Sequence, residues 1–81
     1  MVRRMSILVR ADWDEEAGVW VASTNDIEGL AVEAETFERL EQKVVAAVSD
    51  LIELNGIRFE APEIPIHIMA DHLARIPNPL A

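Results

Sequence analysis

The chain has 81 residues, a net charge of −8 and no cysteine. This length supports one domain with a single modest core. The absence of cysteine excludes disulfides, cysteine-based zinc sites and thiol chemistry. The acidic balance argues against direct binding to nucleic acid, whose phosphates require Lys and Arg. No apolar run is long enough to cross a membrane or to form a signal-peptide core, so we expect a cytoplasmic protein without a membrane partner.

The first part of the chain shows the two-residue alternation of β-strands. Apolar side chains occupy every second position over residues 5–11, β-branched and aromatic residues fill 19–24, and alternation returns over 30–34. The acidic segment 12–18, which separates the first two stretches, ends in glycine and is predicted to be a hairpin loop. Short connections of this kind predict a three-stranded antiparallel meander.

The apolar period then changes from two residues to that of a helix. Thr36 is a suitable N-cap and Asn55-Gly56 a suitable C-terminal signal, so one long helix is predicted over 36–54. Alternating isoleucines predict a fourth strand over 64–69, placed at a sheet edge because Pro65 lacks an N–H. The apolar side of the helix consists of Phe37, Leu40, Val44, Ala47, Val48, Leu51 and Ile52.

The predicted order is β-β-β-α-β, an α+β fold in which one helix covers one face of a four-stranded sheet. We assign residues 1–81 to a single domain, with its core in 5–69 and a C-terminal tail over 70–81. Residues 71–75 of this tail are a candidate for one short helical turn.

The second sheet face has no helix to cover it, so it must be polar or find a partner. We expect this face to carry Leu8, Trp20 or its neighbours, and Met69. Leu8 and Met69 are then the candidate contacts of a homodimer. Pro65 argues against regular pairing of strand edges at its own position, so packing of two faces is favoured over edge pairing.

No familiar catalytic or metal-binding motif occurs in the sequence. The carboxylates of residues 12–16 could attract Mg²⁺ or Ca²⁺ but lack the EF-hand spacing. His67, Asp71 and His72 could serve as zinc ligands only if the chain bent at Ala70. We therefore predict no metal, no cofactor and no catalytic residue.

The acidic segment has a second interpretation, as a surface that repels nucleic acid and attracts a basic protein. Trp13 either packs over the strand ends or anchors an interface, since tryptophan is enriched at binding hot spots. Trp20 belongs to the core or to a sheet-face interface. The predicted partner-binding residues are Trp13, Asp14, Glu15, Glu16 and Trp20.

Several short blocks agree in order and spacing with a known family: WDEEAGVWVA at 13–22, DIEGL at 26–30, Glu33-Ala34, and the helix start at Phe37. Over roughly residues 5–69 the chain resembles the HicB-like antitoxin family, in particular its stand-alone small bacterial proteins. Two departures stand out. Glu28 replaces the proline that usually precedes the turn glycine, and only a short tail follows where HicB antitoxins usually add a DNA-binding segment.

The resemblance implies a partial ribonuclease-H-like sheet, with the fourth strand beside and parallel to the first. It also implies an antitoxin that masks a small basic mRNA-cleaving toxin of the HicA type. We therefore expect a protein-binding module that is not an enzyme. Two alternatives remain: an orphan dimeric regulatory or ligand-sensing domain, and a metal-dependent nuclease using Asp12, Glu41 and Asp71.

Overall fold

The computed structural model describes residues 6–81 and contains the predicted elements in the predicted order. The strands form one sheet in the order β3-β2-β1-β4. The β1–β2 and β2–β3 pairs are antiparallel, whereas β4 lies parallel to β1 at the sheet edge. The α+β fold is therefore confirmed, and its elements are β1 (Ile7–Asp14), β2 (Val19–Ser23), β3 (Val32–Ala34), α1 (Phe37–Asn55) and β4 (Ile66–Asp71).

The loop of the first hairpin is shorter than predicted because β1 continues into the acidic segment. Asp12, Trp13 and Asp14 all pair with residues of β2, so the loop is confined to residues 15–18. Because aspartate is depleted in strands, the sequence did not predict this extension of β1. The predicted start of the strand at residue 5 lies outside the described residues.

The last strand is displaced relative to its prediction, and the predicted helical turn after it is wrong. β4 begins after Pro65 and runs to Asp71, which pairs in register with Asp12. Ala70 and Asp71 thus belong to the sheet rather than to the tail. Residues 72–75 have no helical structure, because the strand carries the chain into them in an extended conformation and prolines follow at 77 and 79.

Both ends of α1 are set by the predicted residues. The hydroxyl oxygen of Thr36 accepts a hydrogen bond from the Arg39 N–H at 3.1 Å, as an N-cap does. Gly56 adopts a left-handed conformation with φ of 64°. The following residue, Ile57, donates its N–H to the Ile52 carbonyl at 3.1 Å, which completes a Schellman-type end.

The core lies between α1 and one face of the sheet. Leu40, Val44 and Val48 are fully buried against Ile7 and Val9 of β1. The helix packs chiefly over β3 and β2. At the opposite edge, the helix-side residues of β4 are only half-buried or exposed: Ile66, Ile68 and Ala70.

The sheet face turned away from α1 is mostly polar, and only part of the expected apolar set lies there. Leu8 and Met69 lie on this face and are 47% and 46% exposed. Of the two alternatives, Trp20 or its neighbours, the neighbours Val19 and Val21 lie there and Trp20 does not. Trp20 pairs with Ala34 of the core face, and its ring meets that of Phe37 with centroids 5.6 Å apart.

Candidate functional site

The acidic hairpin, residues 12–18, has a turn that its own sequence organises. The Asp14 carboxylate accepts hydrogen bonds from the N–H groups of Glu16 at 3.0 Å and Ala17 at 3.2 Å. The Asp14 carbonyl accepts another from the Gly18 N–H at 2.8 Å. Aspartate often closes turns by bonding to the backbone that follows it. This carboxylate is therefore a structural group rather than a free ligand.

Glu15 and Glu16 occupy the tip of the acidic hairpin and behave differently from Asp14. Both side chains are exposed. Neither forms an ion pair or a side-chain hydrogen bond within residues 6–81. Two adjacent negative charges that form no ion pair in the described part of the chain, on a turn held by hydrogen bonds, form a fixed electrostatic feature at one end of the molecule.

An aromatic cluster supports the hairpin from the helix side of the sheet. The rings of Trp13 and Trp20 meet edge to face with centroids 5.4 Å apart. His72, just after β4, has its ring 6.1 Å from each of them, and Phe37 closes the cluster next to Trp20. Trp13 thus packs over the strand ends, the first of its two interpretations, while part of the residue remains accessible.

An open groove of about 550 Å³ joins the acidic hairpin to the residues that follow β4. Four of its nine lining residues carry carboxylates, and Trp13 supplies an aromatic surface. Four of the five predicted partner-binding residues therefore line one groove, and the fifth, Trp20, supports it from beneath. The lining consists of Asp12, Trp13, Asp14, Glu15, Glu16, Val21, His72, Leu73 and Arg75.

Only two of the three carboxylates named for the nuclease alternative lie close together. Asp12 and Asp71 are register partners on the uncovered face. Nη2 of Arg10 lies between them, 3.4 Å from Asp12 and 3.1 Å from Asp71. Glu41 is on α1, beyond the other face of the sheet. Because the arginine supplies the positive charge that a cation would bring, this arrangement is an ion-pair cluster and not a metal centre.

The three candidate zinc ligands also do not converge. His67 lies opposite Leu8 on the uncovered face, whereas His72 joins the aromatic cluster on the other side. Positions separated by an odd number of residues along an extended chain point to opposite faces. Within the described part of the chain, no three His, Asp or Glu side chains are grouped closely enough to hold a metal ion.

Reasoning from the sequence missed the roles of two further residues. His72 belongs to the aromatic cluster, and the Asp26 side chain accepts a backbone hydrogen bond. Continuing the alternation of β4 beyond Ala70 places His72 on the face of Trp13, so the first could have been predicted. The second depends on how the turn after β2 approaches β1. The Asp26 carboxylate accepts a hydrogen bond from the Leu8 N–H at 2.8 Å, and no local pattern in the sequence indicates this contact.

The fold and the groove define a small α+β domain with an acidic, aromatic-lined surface at the hairpin end of its sheet. The family described as Domain of unknown function (DUF1902) matches residues 6–77, so the chain belongs to that family. No curated protein matches the sequence significantly. Over residues 6–81, no helix has the length and apolar character needed to cross a membrane.

One solved structure is similar along nearly the whole chain. It is the crystal structure of the hypothetical protein TTHA1013 from the extremely thermophilic bacterium Thermus thermophilus. The two sequences are 40% identical, and the match covers 90% of this chain and 99% of the other, with a TM-score of 0.66. The similarity therefore extends to the whole domain.

Proposed function

We propose that the protein is a non-catalytic binding module of the bacterial cytoplasm, similar to HicB antitoxins, that masks the basic surface of a HicA-type mRNA-cleaving toxin. The observation that carries the proposal is the pair of exposed carboxylates, Glu15 and Glu16, at the tip of an ordered turn. A toxin that cleaves mRNA must present positive charge to phosphates. An acidic surface can occupy the same charge and exclude the RNA.

The surroundings of the two glutamates support a protein as the ligand. Asp14 holds the turn in place before binding, which lowers the entropy cost of association. Trp13 offers an aromatic surface beside the carboxylates, and an arginine or lysine of the partner could contact both. The net charge of −8 would accelerate the encounter with a basic protein.

The test is binding and growth rescue with the small basic protein encoded in the neighbouring reading frame. We expect co-expression to relieve the toxicity of that protein, and calorimetry to give a 1:1 or 2:2 complex. The variant Glu15→Gln/Glu16→Gln should lower the association rate roughly tenfold at low salt, and high salt should abolish the difference. The variant Glu41→Gln/Glu53→Gln, which removes two exposed carboxylates from α1, is the matched control.

The possible outcomes separate the function from the surface. If the wild-type chain neither binds the neighbouring protein nor relieves its toxicity, the antitoxin role is rejected. If binding occurs but both double variants slow association equally, the role stands and the acidic hairpin is not its contact surface.

A further inference from the structure

The outer edge of β4 carries unpaired backbone groups. The Ile7 N–H donates to the Pro65 carbonyl at 3.0 Å, and Ile7 is aligned with Ile66. In a parallel ladder, alternate residues bond to the same neighbour, so the backbone groups of Ile66, Ile68 and Ala70 point away from β1. No backbone hydrogen bond reaches them from the rest of residues 6–81.

Nothing in β4 protects this edge from another strand. Natural sheets block their edges with lysine, proline, bulges or inward-pointing charges. β4 contains no lysine or proline, and its one carboxylate, Asp71, is at its end. The ring nitrogen of Pro65 is on the β1 side, like its carbonyl, so its missing N–H leaves the outer edge intact. The sequence argument that Pro65 disfavours edge pairing therefore does not apply to β4.

The side chains of β4 are also incompletely covered. Because α1 packs chiefly over β3 and β2, Ile66 and Ile68 are only half-buried and Ala70 is exposed. The uncovered face is a weaker candidate for self-association, since the ion-pair cluster of Arg10 occupies its centre between Leu8 and Val21. The β4 edge therefore has both unpaired backbone groups and incompletely covered apolar side chains, and it is the stronger candidate.

The segment after β4 adds three exposed apolar side chains. Leu73, Ile76 and Leu80 are 68%, 83% and 93% exposed. The molecule measures 54 × 24 × 18 Å with a radius of gyration of 15.7 Å, whereas a compact domain of this length has about 12 Å. Its accessible surface is 6595 Å², against about 4,900 Å² for a compact monomer of this mass. The excess is roughly 1,700 Å² for one chain, about twice the ~800 Å² that each partner contributes to a standard protein interface.

We propose that two copies of this chain pair antiparallel through their β4 edges, centred on Ile68, so that the two sheets become one. In this register the outward backbone groups of Ile66 meet those of Ala70 of the partner subunit, and Ile68 meets its own counterpart. Every outward N–H then faces a carbonyl, as a hydrogen-bonded antiparallel ladder requires. The half-buried isoleucines of both copies come together on the helix side.

The same register places the C-terminal segment of each copy along the partner. His67 lies opposite Met69 of the partner subunit, and the residues after β4 approach the segment that precedes Ile66 of the partner subunit. Arg75, the only Lys or Arg after residue 58, then approaches Glu63 of the partner subunit. Opposite charges thus meet at the end of the shared sheet.

Sedimentation velocity on the full chain tests the assembly. We expect a dimer at micromolar concentration. Ala70→Lys places a charge at the shared edge, and Ala70→Pro removes an outward N–H without touching the β1–β4 ladder. Each should raise the dimer dissociation constant at least tenfold, or about 1.4 kcal/mol, while the far-ultraviolet circular dichroism of the fold is retained. Leu54→Ser, which changes an exposed apolar residue of α1 outside this edge, should leave the dimer dissociation constant unchanged.

Single cysteines test the register directly, because the natural chain has none. Residues facing each other at a non-hydrogen-bonded antiparallel position have Cα atoms about 4.5 Å apart, which suits a disulfide. His67→Cys and Met69→Cys proteins should therefore form a disulfide-linked dimer much faster when mixed than either does alone. A monomer at 100-fold higher concentration, a dimer unaffected by both Ala70 variants, or no acceleration on mixing would each overturn the proposal.

Discussion

The backbone of Leu8 is held by the side chain of Asp26, whose carboxylate accepts the Leu8 N–H at 2.8 Å across 18 residues of sequence. Thr24 completes the contact. Its hydroxyl donates to the Leu8 carbonyl at 2.6 Å and accepts from the Asp26 N–H at 3.0 Å. β2 ends at Ser23, so these side chains bond to the backbone of Leu8 where no residue of β2 is left to pair with it. They keep the start of β1 satisfied and able to pair with β4.

Removing this carboxylate should destabilise the fold. A hydrogen bond to a charged group contributes about 1.5–3 kcal/mol, so Asp26→Ala is expected to lower the free energy of unfolding by about 2 kcal/mol. Asn25→Ala, at the exposed neighbouring position, should change it by less than about 0.5 kcal/mol. Urea unfolding at constant m-value measures both. Equal midpoints for the two variants would show that the contact contributes nothing.

Two neighbouring valines of α1 provide a matched test of the core. Val44 is completely buried and Val45 is half exposed. Val44→Ala should cost about 2–3 kcal/mol, from the lost transfer free energy of its methyl groups and the cavity left behind. Val45→Ala should have little effect, since alanine is the better helix former. Thermal unfolding of the two variants would contradict the assignment of the buried helix face if their order were reversed.

Gly29 is constrained by its backbone and by its neighbour. Its φ is 95°, and a Cβ added there would lie 3.2 Å from Cδ2 of Leu51. Gly18 has a φ of 68° with open space around it. A left-handed conformation costs an L-residue about 1–2 kcal/mol, so both alanine variants should be destabilised, and Gly29→Ala more strongly. Denaturant midpoints that place Gly18→Ala below Gly29→Ala would refute this reasoning.

Arg10 separates two carboxylates that face each other across β1 and β4. Exposed ion pairs contribute little, typically under about 1 kcal/mol, but like charges directly opposite in a sheet destabilise it. Arg10→Gln should therefore lower stability by about 0.5–1 kcal/mol at low salt. Adding Asp71→Asn should restore most of the loss, and salt should reduce it in the single variant. A double-mutant cycle of Asp12→Asn and Asp71→Asn in the Arg10→Gln protein, over a range of salt concentrations, measures the repulsion, and its coupling should vanish if Asp12 and Asp71 do not repel each other.

Patterns that depend on neighbouring residues could be predicted from the sequence. The period of the apolar residues predicted α1 and the face it buries, and Thr36 and Gly56 predicted its ends, because capping involves only adjacent backbone groups. The alternation of β4 predicted a strand, although not its last residues. The acidic residues of the hairpin were identified as one group because they are contiguous in the chain.

Contacts between distant elements could not be predicted in this way. Strand propensity assigned Asp12 to a loop, but pairing with Val21 holds it in β1, since cross-strand bonds outweigh the weak preference of one residue. The sequence assigned Trp20 to a strand but left open which face of the sheet its side chain occupies. The register with Trp13 turned it toward Phe37.

The sequence by itself determined the elements, their order and the acidic character of the chain, because periodicity, capping and charge are properties of local segments. Tertiary structure decided which acids are free. It assigned Asp14 to the turn and Asp12 and Asp71 to Arg10, and within residues 6–81 it left Glu15 and Glu16 without an ion-pair partner. It also decided that the backbone of β4 faces outward at its apolar positions, because the direction of a ladder bond depends on the register between strands far apart in the chain.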